Sequence, residues 1–378
     1  MELLAGLWNY VLPFLIVLTV LVFVHELGHY WVARRNGVRI DVFSIGFGPE
    51  IFGWHDRAGT RWKLSAIPLG GYVKFFGDAD AMSAPGAELP EMTPEERAVS
   101  FHHKRLGQRA AIVAAGPIAN FVFAIVVSAA LFVLVGQPFT PPEIGAVMPG
   151  SAAEKAGLRP GDRIVRINDE RIDSFQDIQR IVQLNLDQPL AVVVRRDGGD
   201  LSLTVTPTVV VEKDRLGNEF KVPRLGIQRS GVEYVHQGPG AALWLAVVDT
   251  YNQTSGTLKA LGQMITGHRG SDELGGPLRI AQMSGEVAKG GFANLVGFMA
   301  FLSVNLGLIN LFPVPVLDGG HLLFYLFEWT RGRPLGPRAQ EYGFRVGMIL
   351  VFSLMILATW NDLVHLRVVQ FLVGLVSS

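Results

Sequence analysis

The chain has 378 residues, 49% of them hydrophobic and only 17% charged. Soluble proteins carry roughly 25% charged residues, so part of this chain is expected in lipid. Lys plus Arg and Asp plus Glu balance at 33 each, which leaves no electrostatic case for nucleic acid. The absence of cysteine excludes thiol catalysis, disulfides and cysteine-bound metal.

The first segment, 1–33, is apolar from about residue 7 onward and ends in FVHELGHYWVA. It is too long for a cleaved signal peptide and lacks a basic start, so it is expected to span the bilayer, which takes about 20 apolar residues. Arg34, Arg35 and Arg39 follow it, and Lys104, Arg105 and Arg109 precede the second charge-free stretch, 110–136. The positive-inside rule therefore places 34–109 in the cytoplasm. Residues 138–232 have a soluble composition on the outer side. Their AGLRPGDRIVRINDERI string, the helical spacing of FQDIQRIVQL and the strand pair across Asp197-Gly198-Gly199 resemble a PDZ domain. PRLGIQ resembles its carboxylate-loop strand, placed last, with Leu225, Gly226 and Ile227 in the groove.

Residues 233–290 read as an amphipathic linker lying at the interface, not as a further span. A third span is expected over 291–318, a cytoplasmic loop over 319–345, and a weaker fourth span within 346–378. The fold class is thus a polytopic α-helical membrane protein with about four transmembrane helices, a membrane-associated β-hairpin region and an inserted α/β PDZ domain.

Polar residues at membrane depth mark function. On a helix His25 and His29 share one face, so both imidazoles can reach one zinc ion. Glu26 lies beside them as a general base for water. A catalytic zinc takes three protein ligands and keeps one place open. Asp318 ends the third charge-free run at matching depth, after Pro313 and Pro315 interrupt the helix. It is read as the third ligand, against the alternative of a carboxylate capping the next helix. His321 is read as a helix-start residue and not a fourth ligand.

With HELGH at 25–29, SIGFGP at 44–49, IPLGGYVKFFGD at 67–78, GPIANF at 116–121, the PDZ string and NLGLINLFPVPVLDGGHLLF at 305–324, the sequence resembles the site-2 protease family of intramembrane zinc metalloproteases. The match is to its bacterial RseP-like branch, here with a single PDZ domain. The resemblance implies Zn2+ on His25, His29 and Asp318, with Glu26 as base. It also implies Asn310 holding the substrate backbone, and Gly71, Tyr72 and Val73 in a hairpin whose edge accepts an extended peptide. Single-span membrane proteins such as trimmed anti-sigma factors are the implied substrates, and a PDZ ligand peptide is a further expected partner. The implied location is the bacterial inner membrane, with both termini and the PDZ domain periplasmic and the active site near the cytoplasmic face. The rivals are a PDZ-bearing membrane scaffold with a vestigial zinc site and a metal transporter; no repeat of HELGH supports the latter.

Overall fold

The computed structural model describes residues 2–77, 92–185, 188–213, 219–266 and 275–365. It divides into two units, Met1–Ala130 with Gly240–Ser378, and Leu131–Pro239. Asp78 of the 67–78 motif and the tail of the 346–378 segment beyond 365 lie outside the described residues.

Among the described residues, four helices are long and apolar enough to cross a membrane: α1 (Glu2–Arg35), α3 (Leu106–Leu134), α8 (Phe292–Asn310) and α10 (Pro337–His365). A short α2 (Pro94–Val99) precedes α3. The third apolar run does not stay helical to 318. It stops at Asn310, because Pro313 and Pro315 cannot supply helical N–H donors. The chain turns through 311–317, and α9 (Asp318–Arg331) restarts it. At 1.5 Å per residue, 19 residues still give about 28 Å, close to the hydrocarbon thickness. The last helix begins well before the apolar run at 346, since Pro337 suits a helix start and the polar turns that follow propagate it. Val346, Ile349 and Ile356 on it are exposed, as a lipid-facing surface requires.

Between α1 and α3, β1 (Ile40–His55) and β2 (Arg61–Phe75) fold into a curled hairpin. Residues 40–45 pair with 71–75, and 42–45 also lie beside 61–64, which pair in turn with 52–55. The segment 71–75 is therefore an outer edge of the sheet. Phe43, Val73, Phe75, Phe101 and Ile112 form the core beneath it, with the Trp62 ring stacked on Phe43 at 4.1 Å. Ile51, Phe52 and Ile67 project outward.

The hairpin tip is fastened to α1 through Asp56. Its carboxylate accepts from Tyr30 Oη at 2.6 Å, Trp62 Nε1 at 3.1 Å and the Ala58 and Thr60 amides at 2.8 and 3.0 Å. Partial burial alone would raise its pKa, but the hydrogen bonds outweigh that and hold it at about 2. A depressed carboxylate stabilises the fold above its unfolded pKa near 3.9, and that stability is lost as pH falls towards 2. Protease cleavage within the hairpin is accordingly expected to accelerate between pH 4 and pH 2 in wild type. In Asp56→Asn it should already be fast at pH 7.

The second unit is built on the PDZ plan. Short β3 (Gln137–Phe139) and β4 (Ile144–Val147) lead into α4 (Ala152–Lys155). Then come β5 (Arg163–Ile167), β6 (Glu170–Arg171), α5 (Phe175–Leu184), β7 (Leu190–Arg196) and β8 (Gly199–Val205), with the strands in the order β6-β5-β7-β8. A hairpin of β9 (Thr208–Lys213) and β10 (Glu219–Arg224) follows. Next, β11 (Ile227–Arg229) pairs with β4, and β12 (Glu233–Val235) pairs with β3. Apolar side chains at alternate strand positions, Ile164, Val192, Val194 and Val205, meet Ile178 of α5 in one core. Ser174 and Asp177 close a capping box that fixes where α5 starts.

Two further helices, α6 (Pro239–Ile265) and α7 (Pro277–Lys289), occupy the expected linker. α6 buries Ala242, Ala246 and Thr250 and exposes Trp244 and Tyr251.

Candidate metal centre

The site is assembled where α1 and α3 touch through glycines. A Cβ on Gly28 would strike the Ala115 carbonyl and approach Ala119 Cβ at 2.7 Å. A Cβ on Gly116 would strike His29 Nε2 and lie 2.9 Å from His25 Cε1. Only residues without a side chain allow two helices this close. Ile112, Gly116 and Asn120, at four-residue steps, form the face of α3 turned to the histidines.

That face sets the two imidazoles. His29 Nδ1 donates to the Ile112 carbonyl at 2.9 Å, which leaves Nε2 bare. The amide of Asn120, fully buried, stands with its Nδ2 3.1 Å from His25 Nδ1, an orientation that leaves its Oδ1 without a hydrogen-bond partner. With that oxygen turned to the ring, Nδ1–H donates to it, both groups are satisfied, and His25 Nε2 is bare as well. The Asn120 carbonyl in turn accepts from Ser303 Oγ of α8 at 2.9 Å.

The two bare nitrogens are 3.2 Å apart. Asp318 Oδ2 lies 3.1 Å from His25 Nε2 and 3.5 Å from His29 Nε2. These separations fall in ion-pair range, yet Oδ2 is buried and accepts no hydrogen bond. Tetrahedral zinc with bonds of about 2.0–2.1 Å separates its ligands by about 3.3 Å. The three atoms form such a triangle, and lone pairs facing one another at this range need a cation among them. The donor set fits zinc. It is also the one group of three or more metal-capable side chains found among the described residues. Asp318 stands at the first position inside α9, after Leu317, and its Oδ2 accepts no hydrogen bond, so that oxygen caps nothing. His321 is not in the triad.

Val316, at φ 119°, holds the chain in a conformation β-branched residues rarely adopt, two residues before Asp318. The Leu317 amide donates back to the Val314 carbonyl at 2.9 Å and keeps that turn closed.

Beside the triad is a cleft of about 270 Å³ lined by Glu26, Gly71, Tyr72, Val73 and Asn310, among others. A Cβ on Gly71 would come within 2.8 Å of Val22 Cγ1 and 3.3 Å of Glu26 Cγ, so the sheet edge passes directly over Glu26. Leu225, Gly226 and Ile227 line a different groove of about 370 Å³, against Ile178 and Val182 of α5. Gly226 takes φ +78°, and a Cβ there would strike Ser151. This concavity is larger than the cleft, but it carries no metal-capable cluster, so chemistry and not size selects the site.

The sequence marks Gly116 and Asn120 only as part of the GPIANF motif and gives neither these nor Ile112 a role at the site. The available signal was Gly116 and Asn120 four apart in a charge-free run. Removing the imidazole's outer partner typically costs about 10–100-fold in metal affinity. Asn120→Ala should weaken zinc binding by that order in chelator competition, and an unchanged affinity would remove Asn120 from the centre.

A bundle of bilayer-length helices that closes two histidines, a carboxylate and a neighbouring glutamate around one point defines a membrane metalloprotease. The family model for peptidase family M50 matches residues 13–354. A protein from Agrobacterium fabrum with a provisional zinc-metalloprotease name is 48% identical over 362 residues, 94% of this chain and 96% of its own. One from Rhizobium meliloti, similarly named, is 48% identical over 369 residues, covering 96% and 99%. Among solved structures, the PDZ domain of an SdrC-like protein from Listeria monocytogenes covers 24% of this chain and 88% of its own at 16% identity and a TM-score of 0.20. The chain belongs to peptidase family M50, the site-2 proteases, and is a zinc metalloprotease.

Proposed function

We propose that this enzyme cuts the transmembrane segments of single-span proteins near the cytoplasmic face of a bacterial inner membrane, as a step of regulated intramembrane proteolysis. The observation that carries this reading is the origin of the triad: two of its residues lie on one bilayer-length helix, and the third opens the helix that restarts after another breaks off at Asn310. Substrates such as anti-sigma factors already shortened by a first protease fit a chain with an outer PDZ-type unit.

His25, His29 and Asp318 hold the ion. Bound zinc supplies a Lewis acid that polarises the scissile carbonyl and acidifies water. Glu26 takes the proton of the attacking water as the C–O bond forms, and returns it to the amide nitrogen as the C–N bond breaks. A helical substrate hides its amides in i→i−4 bonds, so it must unwind first. The outer edge at Gly71, Tyr72 and Val73 offers backbone partners to the unwound strand, and Asn310 donates to one of its carbonyls. Leu225, Gly226 and Ile227 bind a C-terminal peptide or restrict the size of the substrate's outer domain.

The test uses the full chain in liposomes with single-span reporters carrying a short or a long outer domain, with fragments read by mass spectrometry. The expected result is one cut inside the transmembrane segment, with the short form cleaved faster. Equally rapid cleavage of a soluble unfolded polypeptide, or cuts outside the segment, would overturn the reading.

A further inference from the structure

The polar side chains of α9 recur at steps of three and four residues: Asp318, His321, Tyr325 and Glu328. That spacing puts them on one stripe of the helix. The other side of the first turn is glycine. A Cβ on Gly319 would strike the Leu311 and Phe312 carbonyls, and one on Gly320 would come within 2.5 Å of Pro315 Cα. The first turn is therefore clamped against 311–315, and the stripe faces the cleft, which Asp318, His321 and Tyr325 all line. Further along, His321 and Tyr325 also wall a second cavity of about 100 Å³, closed by the Arg109–Glu328 ion pair at 2.5 Å.

His321 is the unexplained member of the stripe. Asp318 belongs to the triad, Glu328 is paired with Arg109, and Tyr325 carries the Arg109 guanidinium 4.9 Å from its ring centre. The His321 ring has an edge contact with Phe324 at 6.5 Å, but no protein group among the described residues hydrogen-bonds its nitrogens. A half-buried imidazole that lines the cleft with no hydrogen-bond partner among the described residues calls for a partner in that cleft. It is held on a clamped helix turn, one turn from a metal ligand, where a reacting peptide must lie.

We infer that His321 donates a ring N–H to the oxygen of the scissile carbonyl as that oxygen takes up negative charge. The inference rests on the metalloprotease reading. Attack of water turns the C=O into a singly bonded, negatively charged oxygen, and a fixed donor binds that oxygen more strongly than it binds the ground-state carbonyl. His321 keeps its proton throughout, while the proton traffic belongs to Glu26. Asn310, at the end of α8, is left to hold a different carbonyl of the strand.

The test compares wild type, His321→Leu and His321→Gln as full chains in detergent, with a single-span reporter. Loss of one such donor costs about 10²–10³ in kcat. That fall is expected for His321→Leu with KM and zinc content unchanged, and His321→Gln, which retains an N–H donor, should recover part of it. A second readout is binding of a peptide whose scissile amide is replaced by a phosphinic group. Its affinity should fall in step with kcat, while the uncleaved reporter binds as before to each variant combined with Glu26→Gln. Equal losses in both variants, zinc loss in both, or an unchanged phosphinic affinity would each overturn the assignment. Wild-type cleavage matched by His321→Leu sinks only this assignment. Failure of the wild type to cleave would sink the protease reading and the assignment with it.

Discussion

Glu26→Gln is expected to abolish cleavage of a single-span reporter while the protein still binds zinc as wild type does. The substitution keeps size and shape, and the triad atoms on His25, His29 and Asp318 are untouched. What it removes is the proposed proton acceptor. General-base catalysis contributes about 10²–10⁴ in rate, and in the proposed mechanism the same carboxylate also delivers the proton to the leaving amine, so the loss should lie at the upper end. Zinc content by elemental analysis and cleavage by gel decide it. Retained cleavage would assign the base to another residue, and lost zinc would make the result uninformative about Glu26 but damaging to the proposed ligand set.

The second large effect comes from one methyl group. Gly116→Ala should lose zinc and activity together, because its Cβ would occupy the space of the His29 ring edge and crowd His25. The helices cannot simply part, since the Gly28 contact and the His29–Ile112 bond at 2.9 Å depend on the same approach. Metal sites tolerate ligand displacements of only about 0.2 Å, so the fall in affinity should exceed the roughly 10–100-fold typical of outer-shell changes. Gly107→Ala on the same helix, where an added Cβ meets nothing within 4 Å, is the control and should leave both intact. Near-normal zinc affinity in Gly116→Ala would mean that the α1–α3 contact is looser than it stands in the structure.

The three residues that the structure brings together, His25, His29 and Asp318, were legible because their signals are local. A four-residue spacing needs only the geometry of one helix to bring His25 and His29 together, and the membrane supplied the depth argument for Asp318. The apolar spans were legible for a similar reason, since lipid demands continuous apolar stretches. What orients the ligands was hidden. The Ile112 carbonyl is a main-chain group and leaves no mark in the sequence. Gly116 and Asn120 acquire meaning only once a second helix lies against them. The break in the third span at Asn310 was half visible, because two prolines forbade a regular helix without saying where it would stop. The curled register of the hairpin was invisible, because residues 42–45 meet 61–64 by long-range pairing that no turn signal encodes.

Val316 carries a further consequence. A side-chain-bearing residue at φ 119° costs on the order of 1–3 kcal/mol, and it does so immediately upstream of the carboxylate that completes the triad. A folded chain has only about 5–15 kcal/mol in reserve. At this turn, then, selection for heat resistance and selection for catalysis pull in opposite directions. Libraries sorted only for thermal endurance will tend to gather relaxed, inactive sequences around Val316, and directed evolution of a sturdier enzyme will have to gain its margin elsewhere in the chain.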